Sequence, residues 1–322
     1  MMAPWAENYH IHRRSEADEM GLKEIRRFVK ENIHLTKPLR SSGELAKWVE
    51  RSGFDCIVVG SDQVWREIYS PDIEDYFLGF LPEDDKRLKI TYAASFGTAD
   101  SPISEAHLPN CVRLAKHFDA LSVREESGAK ILKETFGLES RVVLDPTLLL
   151  SAGQYRFPVE RNRAGGVVSY ILDETDDKDG IVSQVAKNLG AKETKVRIST
   201  RSADVGTLLK PSVEEWLASF ASADFVVTDS FHGCVFSIIN HKPFIAIANK
   251  DRGLERFTTL LGSFGLMDRL IFDSKEFEKK RSLLLQPIDY ESVNAKMQEL
   301  MQESLEYLTS SLKYANKEAA PI

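Results

Sequence analysis

Phe225-Val226-Val227-Thr228-Asp229-Ser230-Phe231-His232-Gly233-Cys234-Val235-Phe236-Ser237-Ile238-Ile239-Asn240 is an apolar run that polar groups interrupt at one point. The residues up to Thr228 read as a buried strand, and from Phe231 the apolar residues recur at helical spacing. Asp229, Ser230 and His232 therefore sit at a strand's carboxyl end and a helix's amino end. In an open α/β sheet ligands bind at that edge, and the unpaired amides of a helix start favour an anion such as phosphate or carboxylate. His232 is the first candidate for chemistry. The same residues also suit a plain N-cap, with the histidine satisfying a backbone carbonyl, so the rest of the chain must decide.

Outward from this junction the same grammar repeats. On the amino side, a helical stripe at Leu22, Ile25, Phe28 and Val29 precedes a second helix from Ser41, with Glu44 at capping-box spacing. Strands are then expected at Phe54 to Gly60, Leu88 to Ala94, Ala120 to Val123 and Arg141 to Leu144, with a helix over about Ser104 to His117 and another opening at Arg124 to Ser127. An irregular stretch from Ser151 to Gly166, with Pro158, Gly165 and Gly166, marks a boundary. Beyond it come strand Val167 to Leu172, helix Asp176 to Leu189, strand Thr194 to Ile198, helix Ser212 to Phe220 and strand Asp224 to Thr228. The helix from Phe231, strand Pro243 to Ala248 and helix Leu254 to Leu261 complete the series. Strand, polar tip, helix, strand implies βαβ units and mainly parallel sheets.

The expected architecture is α/β: two Rossmann-like doubly wound domains facing a cleft. The domains are residues 1–155 and 156–285, followed at 286–322 by a terminal helix and tail. The stripe Ile288, Val293, Met297, Leu300, Met301, Leu305, Leu308 and Leu312, with Asp289 as N-cap, reads as a core-facing amphipathic helix rather than a cofactor box.

The chain has 322 residues, 43% of them hydrophobic, enough for one or two globular domains. With 42 basic residues dispersed among 49 acids and a net charge of -7, general nucleic-acid binding is excluded while a local anion site remains open. Cys56, Cys111 and Cys234 show no CxxC spacing, which points to a reducing, cytoplasmic setting rather than a disulfide framework or zinc site. No apolar run approaches the roughly 20 residues of a membrane span, which leaves only peripheral membrane association open. His10 and His12 lie in a charged lead segment that reads as a solvated arm rather than a metal site.

Side by side, the strand tips are Gly60-Ser61-Asp62-Gln63, Ser95-Phe96-Gly97, Arg124-Glu125-Glu126-Ser127, Asp145-Pro146-Thr147 and Asp229-Ser230-Phe231-His232-Gly233. Together they form a site hypothesis. Arg124 suits the two oxygens of one anion, or else an ion pair with Glu125 or another acid. Asp62 and Asp229 fit either acid–base work or helix capping; Ser61, Ser95 and Ser230 fit either substrate hydrogen bonds or tight turns; Asp145 before proline reads as a turn residue. There is no GxSxG elbow, P-loop, GxGxxG or DxD-like metal pair, which weakens the common hydrolase, kinase and dehydrogenase readings.

The chain resembles the polysaccharide pyruvyl transferase family. The likeness runs through FDCIVVGSDQVW (Phe54 to Trp65), YAASFG (Tyr92 to Gly97), LSVREESGAKIL (Leu121 to Leu132), VLDPTLLL (Val143 to Leu150), VVTDSFHGCVFSIINHKPF (Val226 to Phe244) and RFTTLLGSFGLMDRL (Arg256 to Leu270), in order over about Leu22 to Leu270. It implies a GT-B-like pair of domains and transfer of a pyruvyl group from phosphoenolpyruvate to a sugar of a cell-surface glycan, on a saccharide or lipid-linked acceptor. No further cofactor and no metal is implied. It implies His232 as general acid or base, with Asp229 beside it, and Arg124 as holder of the donor anion. Ser61, Asp62, Gln63, Ser95, Ser230 and Gly233 are the further candidates for substrate contact, and Arg256, at a helix start, is a second candidate for the anion. Two departures stand out. Relatives begin with a strand, a glycine- and asparagine-rich loop and a helix where this chain has a charged arm, so the amino-terminal domain is expected to lack its first βα unit. Some relatives also carry arginine where this chain has Ser230-Phe231. The alternative readings are a GT-B-type glycosyltransferase using a nucleotide sugar, and an inactive truncated homologue with a binding role.

Overall fold

A computed structural model describes residues 23–157, 165–196, 211–249 and 253–313. The lead segment with His10 and His12, Leu22, the part of the expected boundary around Pro158, the end of the strand expected to reach Ile198, and the tail after 313 lie outside them.

Helix α1 (Lys23–Asn32) and helix α2 (Ser42–Ser52) come first. Ser41 caps α2 by accepting from the Glu44 amide at 3.2 Å, but the Glu44 carboxylate turns to the Arg40 amide at 2.7 Å, so the expected box closes on one side only. Strands β1 (Cys56–Val59) and β2 (Leu88–Thr91) pair in parallel, as do β3 (Ser122–Val123) and β4 (Arg141–Val142). Bridges from Ile90 to Ala120 and from Ala94 to Val123 join the pairs in the order β1-β2-β3-β4. Helix α3 (Leu108–Ala115) and helix α4 (Glu126–Ile131), which runs on into a π-turn at Leu132–Phe136, cover one face. The core of that face is aromatic: Trp65 stacks on Phe77 with ring centres 5.0 Å apart, and Phe96 and Phe136 close the cluster.

The second sheet is all parallel and doubly wound. Strands β5 (Val167–Tyr170), β6 (Glu193–Lys195), β7 (Phe225–Thr228), β8 (Phe244–Ile247) and β9 (Leu270–Ile271) lie in the order β6-β5-β7-β8-β9. Every residue of β7 and β8 is buried, which is why these strands read as continuous apolar runs rather than alternations. Val167, Phe225, Val227, Ile245 and Ile247 pack on one side with helix α5 (Asp176–Leu189). Val168, Val226, Phe244 and Ala246 pack on the other with helices α6 (Val213–Ser222), α7 (Phe231–Ile239) and α8 (Leu254–Ser263).

Two elements exceed the expectations. Strand β9 is too short to carry a periodic signal, and helix α9 (Ser274–Leu284), largely polar, buries only Phe277 and Leu284 and so lacks a stripe.

Helix α10 (Tyr290–Lys313) belongs to both lobes. Its first half, at Val293, Met297, Leu300 and Met301, packs into the core of the second lobe. Its second half closes the uncovered face of the first sheet. There Tyr307 joins Tyr92, Ala93 and Val143, its hydroxyl donates to the Thr91 carbonyl at 2.9 Å, and Ser304 Oγ accepts from the Leu144 amide at 3.0 Å. Helix α1 crosses the other way. It rests on α6 of the second lobe, through Arg27 to Glu214 at 2.9 Å and Phe28 against Phe157, rather than on the first sheet with which its place in the chain groups it.

Tyr307 thus fills a buried face and satisfies a strand carbonyl together. Tyr307→Ala is expected to lower stability by about 3 kcal/mol in urea unfolding, whereas Tyr307→Phe, which loses the hydrogen bond alone, costs about 1 kcal/mol.

Candidate active site

The interrupted run is held by close packing at its break. Thr228 Oγ1 donates to the Tyr170 carbonyl at 2.7 Å and accepts from the Ser230 amide at 3.1 Å, tying the tips of β5 and β7 together. Ser230 caps α7, its hydroxyl accepting from the Gly233 amide at 3.4 Å. A Cβ on Gly233 would stand 2.1 Å from Thr228 Oγ1, so the first turn of α7 lies on the strand where no side chain fits. This contact holds His232 at the helix start, its side chain 38% exposed and its Nε2 3.9 Å from Asp145 Oδ2 of the other lobe.

Arg124, just beyond β3, is buried, with its side chain 1% exposed. Burying a guanidinium requires counter-charges, and the tips of the first sheet supply them. Nη1 donates to Asp145 Oδ2 and Nη2 to Asp62 Oδ1, each at 2.7 Å, and Nε stands 3.9 Å from Glu125 Oε2. Glu125, wholly buried, takes the Phe96 and Gly97 amides on Oε1 at 2.8 and 3.0 Å. Burial pushes its carboxyl above the usual range against the opposing charge of Arg124. Asp62 is exposed; partial desolvation at the cleft raises its pKa, but the Arg124 charge and hydrogen bond prevail and hold the acid below its ordinary value.

The Phe231 ring contacts two cations. The Arg124 guanidinium carbon is 4.8 Å, and that of Arg256 5.4 Å, from its ring centre, within cation–π range. Arg256, near the start of α8, reaches towards the same Asp62 oxygen, Nη1 to Oδ1 3.9 Å. Burial and the neighbouring Arg124 pull its pKa down to about 10. The preceding Gly253, at φ 92°, meets the first lobe directly: a Cβ there would lie 2.5 Å from the Gly97 carbonyl oxygen. Burial also lowers the His232 pKa, Asp145 opposing and Arg124 adding to the effect, so the imidazole is mostly uncharged at neutral pH.

Of the residues singled out from sequence, His232, Arg124, Asp62 and Arg256 converge at one place. The others stand behind it. Asp229 is wholly buried, and its carboxylate accepts from the Leu172 and Asp173 amides at 2.6 and 3.1 Å, from Lys178 Nζ at 2.7 Å and from Asn249 Nδ2 at 3.3 Å. That geometry makes Asp229 a brace between the tips of β5 and β7. Ser95 is also wholly buried: its amide donates to the Asp62 carbonyl and its carbonyl accepts from the Trp65 amide, both at 3.2 Å, so its backbone positions Asp62. Gln63 Oε1 accepts from Arg66 at 3.0 Å, Ser61 lies in the turn before Asp62, and the Ser230 hydroxyl and Gly233 amide are joined in the cap.

Asp145, Glu125 and Phe231 stood among the strand tips of the site hypothesis, but sequence reasoning gave them no role in the site beyond a turn for Asp145 and an ion pair for Glu125. Asp145 does cap its turn, Oδ1 accepting from the Thr147 amide at 3.0 Å, but its second oxygen serves Arg124 and faces His232. The only available signal was its place among the strand tips.

The family model for polysaccharide pyruvyl transferase matches residues 7–251, and the chain belongs to that family. No curated protein matches the chain. Among solved structures it is similar to the glycotransferase of kitacinnamycin, at 13% identity and TM-score 0.45, over 85% of this chain and 78% of that one. It is also similar to Os79 from O. sativa, solved with UDP and deoxynivalenol-3-glucoside, at 12% identity and TM-score 0.38, over 98% and 71%.

Two expectations follow from this geometry. Arg124→Met leaves acids facing one another and is expected to cost about 3 kcal/mol or more in urea unfolding, part of which the double variant with Asp145→Asn regains. Because the folded pKa of His232 lies below the 6.5 of a free histidine, the unfolded chain binds the proton first as pH falls. This contribution to stability is present above pH 6.5 and is lost below it. The drop in melting temperature between pH 7.5 and 5.5 is therefore expected to be smaller in His232→Gln than in the parent.

Proposed function

We propose that the protein transfers the pyruvyl group of phosphoenolpyruvate to a saccharide as a cyclic ketal, with His232 as the group that moves protons. The observation that carries this reading is the imidazole of His232, 3.9 Å from Asp145, at the cluster that holds two buried guanidiniums, in a chain of the polysaccharide pyruvyl transferase family. In the reaction, carbon 3 of phosphoenolpyruvate gains a proton and a sugar hydroxyl oxygen bonds to carbon 2, losing its own. The bond from carbon 2 to the phosphate oxygen then breaks, and a second hydroxyl closes the ring with loss of its proton. An uncharged histidine is suited to accept a hydroxyl proton and pass it to the departing phosphate. Asp145, 3.9 Å from Nε2, would stabilise the imidazolium formed on the way. The two arginines would neutralise the donor's carboxylate and phosphate. The acceptor is a saccharide, free or lipid-linked, of a glycan assembled from the cytoplasmic side.

Phosphate release from phosphoenolpyruvate in the presence of a saccharide acceptor tests the reading. His232→Ala is expected to lower the rate by about 100-fold or more while donor affinity stays within about threefold, as for a group acting on the transition state. Release that survives the substitution would remove His232 from the chemistry. A melting temperature raised by a nucleotide sugar and not by phosphoenolpyruvate would replace the reading with glycosyl transfer.

A further inference from the structure

Asp62 differs from every other charged group at the site in its exposure. Its side chain is 70% exposed, against 1% for Arg124, 8% for Arg256 and 2% for Asp145. It lies over both cations on the solvent side, Oδ1 2.7 Å from Arg124 Nη2 and 3.9 Å from Arg256 Nη1. Arg124 already has a buried counter-ion behind it in Asp145. The backbone beneath Asp62 is held: its carbonyl accepts from the amides of Ser95 at 3.2 Å and Val64 at 2.6 Å, and the nearby Trp65 is wholly buried. Oδ1 also accepts from the Gln63 amide at 2.8 Å, so on the fixed main chain the motion at hand is a change of rotamer that gives up this bond and swings the carboxylate off the arginines into water.

A carboxylate resting on two guanidiniums has the chemistry expected of a donor anion in the same place. We propose that Asp62 is a built-in stand-in for the substrate's anionic group, occupying the Arg124–Arg256 pair until a stronger anion displaces it, and that it thereby sets how strongly an anion must bind to fill the site. This inference rests on the proposed function for the identity of the donor, but not for the displacement itself.

Displacement has a consequence for which anions fill the site at a given concentration. A monocarboxylate exchanges one carboxylate for another at the arginines and gains little, whereas a ligand bearing both phosphate and carboxylate brings more charge and more acceptor oxygens than it removes. The site therefore favours a phosphorylated carboxylic acid over its dephosphorylated counterpart. All ligands bind with the affinity of the open pair multiplied by the fraction of molecules in which Asp62 has swung away. Removing the charge of Asp62 is then expected to tighten all anions at the pair by one common factor and to leave the ratio between strong and weak ones unchanged.

Calorimetric titration of the full chain with inorganic phosphate, phosphoenolpyruvate and pyruvate tests this, using the parent, Asp62→Asn and Asp62→Glu. Asp62→Asn is expected to bind phosphate about tenfold more tightly, as for a competent state freed from an internal competitor populated most of the time. Phosphoenolpyruvate and pyruvate are expected to tighten by the same factor as each other, and Asp62→Glu, which keeps the charge, to stay near the parent. Melting curves with and without phosphate check that each variant folds, and Asp62→Asn is expected to gain more from phosphate than the parent does. Phosphate affinity that is unchanged or weaker in Asp62→Asn overturns the proposal, because a residue that contacts the ligand or merely decorates the surface gives that result. The phosphate arm does not depend on pyruvyl transfer: tighter phosphate with no response to phosphoenolpyruvate would retain the displacement and reject the proposed donor.

Discussion

The buried charge of Arg124 is the constraint on which the rest of the site depends. A guanidinium with 1% of its side chain exposed is tolerable only if acids meet it, and those acids come from different loops: Asp62 after β1, Asp145 after β4 and Glu125 from its own tip. Satisfying one cation therefore draws the tips of the first sheet together. The same demand places Asp145 Oδ2 where His232 of the opposite lobe approaches it. The ion cluster gives the site its shape, and its acids already neutralise much of the positive charge that an anionic ligand would meet.

The second lobe brings its contribution through packing rather than charge. The approach of Gly233 to Thr228 and of Gly253 to Gly97 admits no Cβ, and these contacts hold the starts of α7 and α8 against their neighbours. The Phe231 ring then lies within cation–π range of both arginines. Helix α10 packs on both lobes, and Glu126 and Thr259 join across the cleft by a 3.2 Å hydrogen bond, so the two sets of strand tips meet in a defined way.

Much of this was legible in the residues. Continuous apolar strands such as Phe225 to Thr228 announce burial on both faces, and each breaks at polar residues that a parallel sheet gathers along one edge. The junction of β7 and α7 was readable because strand and helix periods change there within a few residues. Less was legible where the signal is not periodic. Strand β9 is two residues long, α9 is polar, and α1 leaves the lobe that its place in the chain suggests, held by Arg27 and Phe28 on distant partners.

The role of each site residue divides along the same line. Sequence alone determined the α/β alternation, the polar strand tips and the candidacy of His232 and the arginines, because these follow from local periodicity and residue chemistry. Only the tertiary structure decided that Asp229 and Ser95 are braces, that Asp145 serves a turn and a cation together, and that Asp62 covers the arginines. An aspartate at a strand tip has the same local signature whether it caps, braces, pairs or faces a ligand. What separates these fates is which donors lie within about 3 Å, and those donors come from residues far away in the chain.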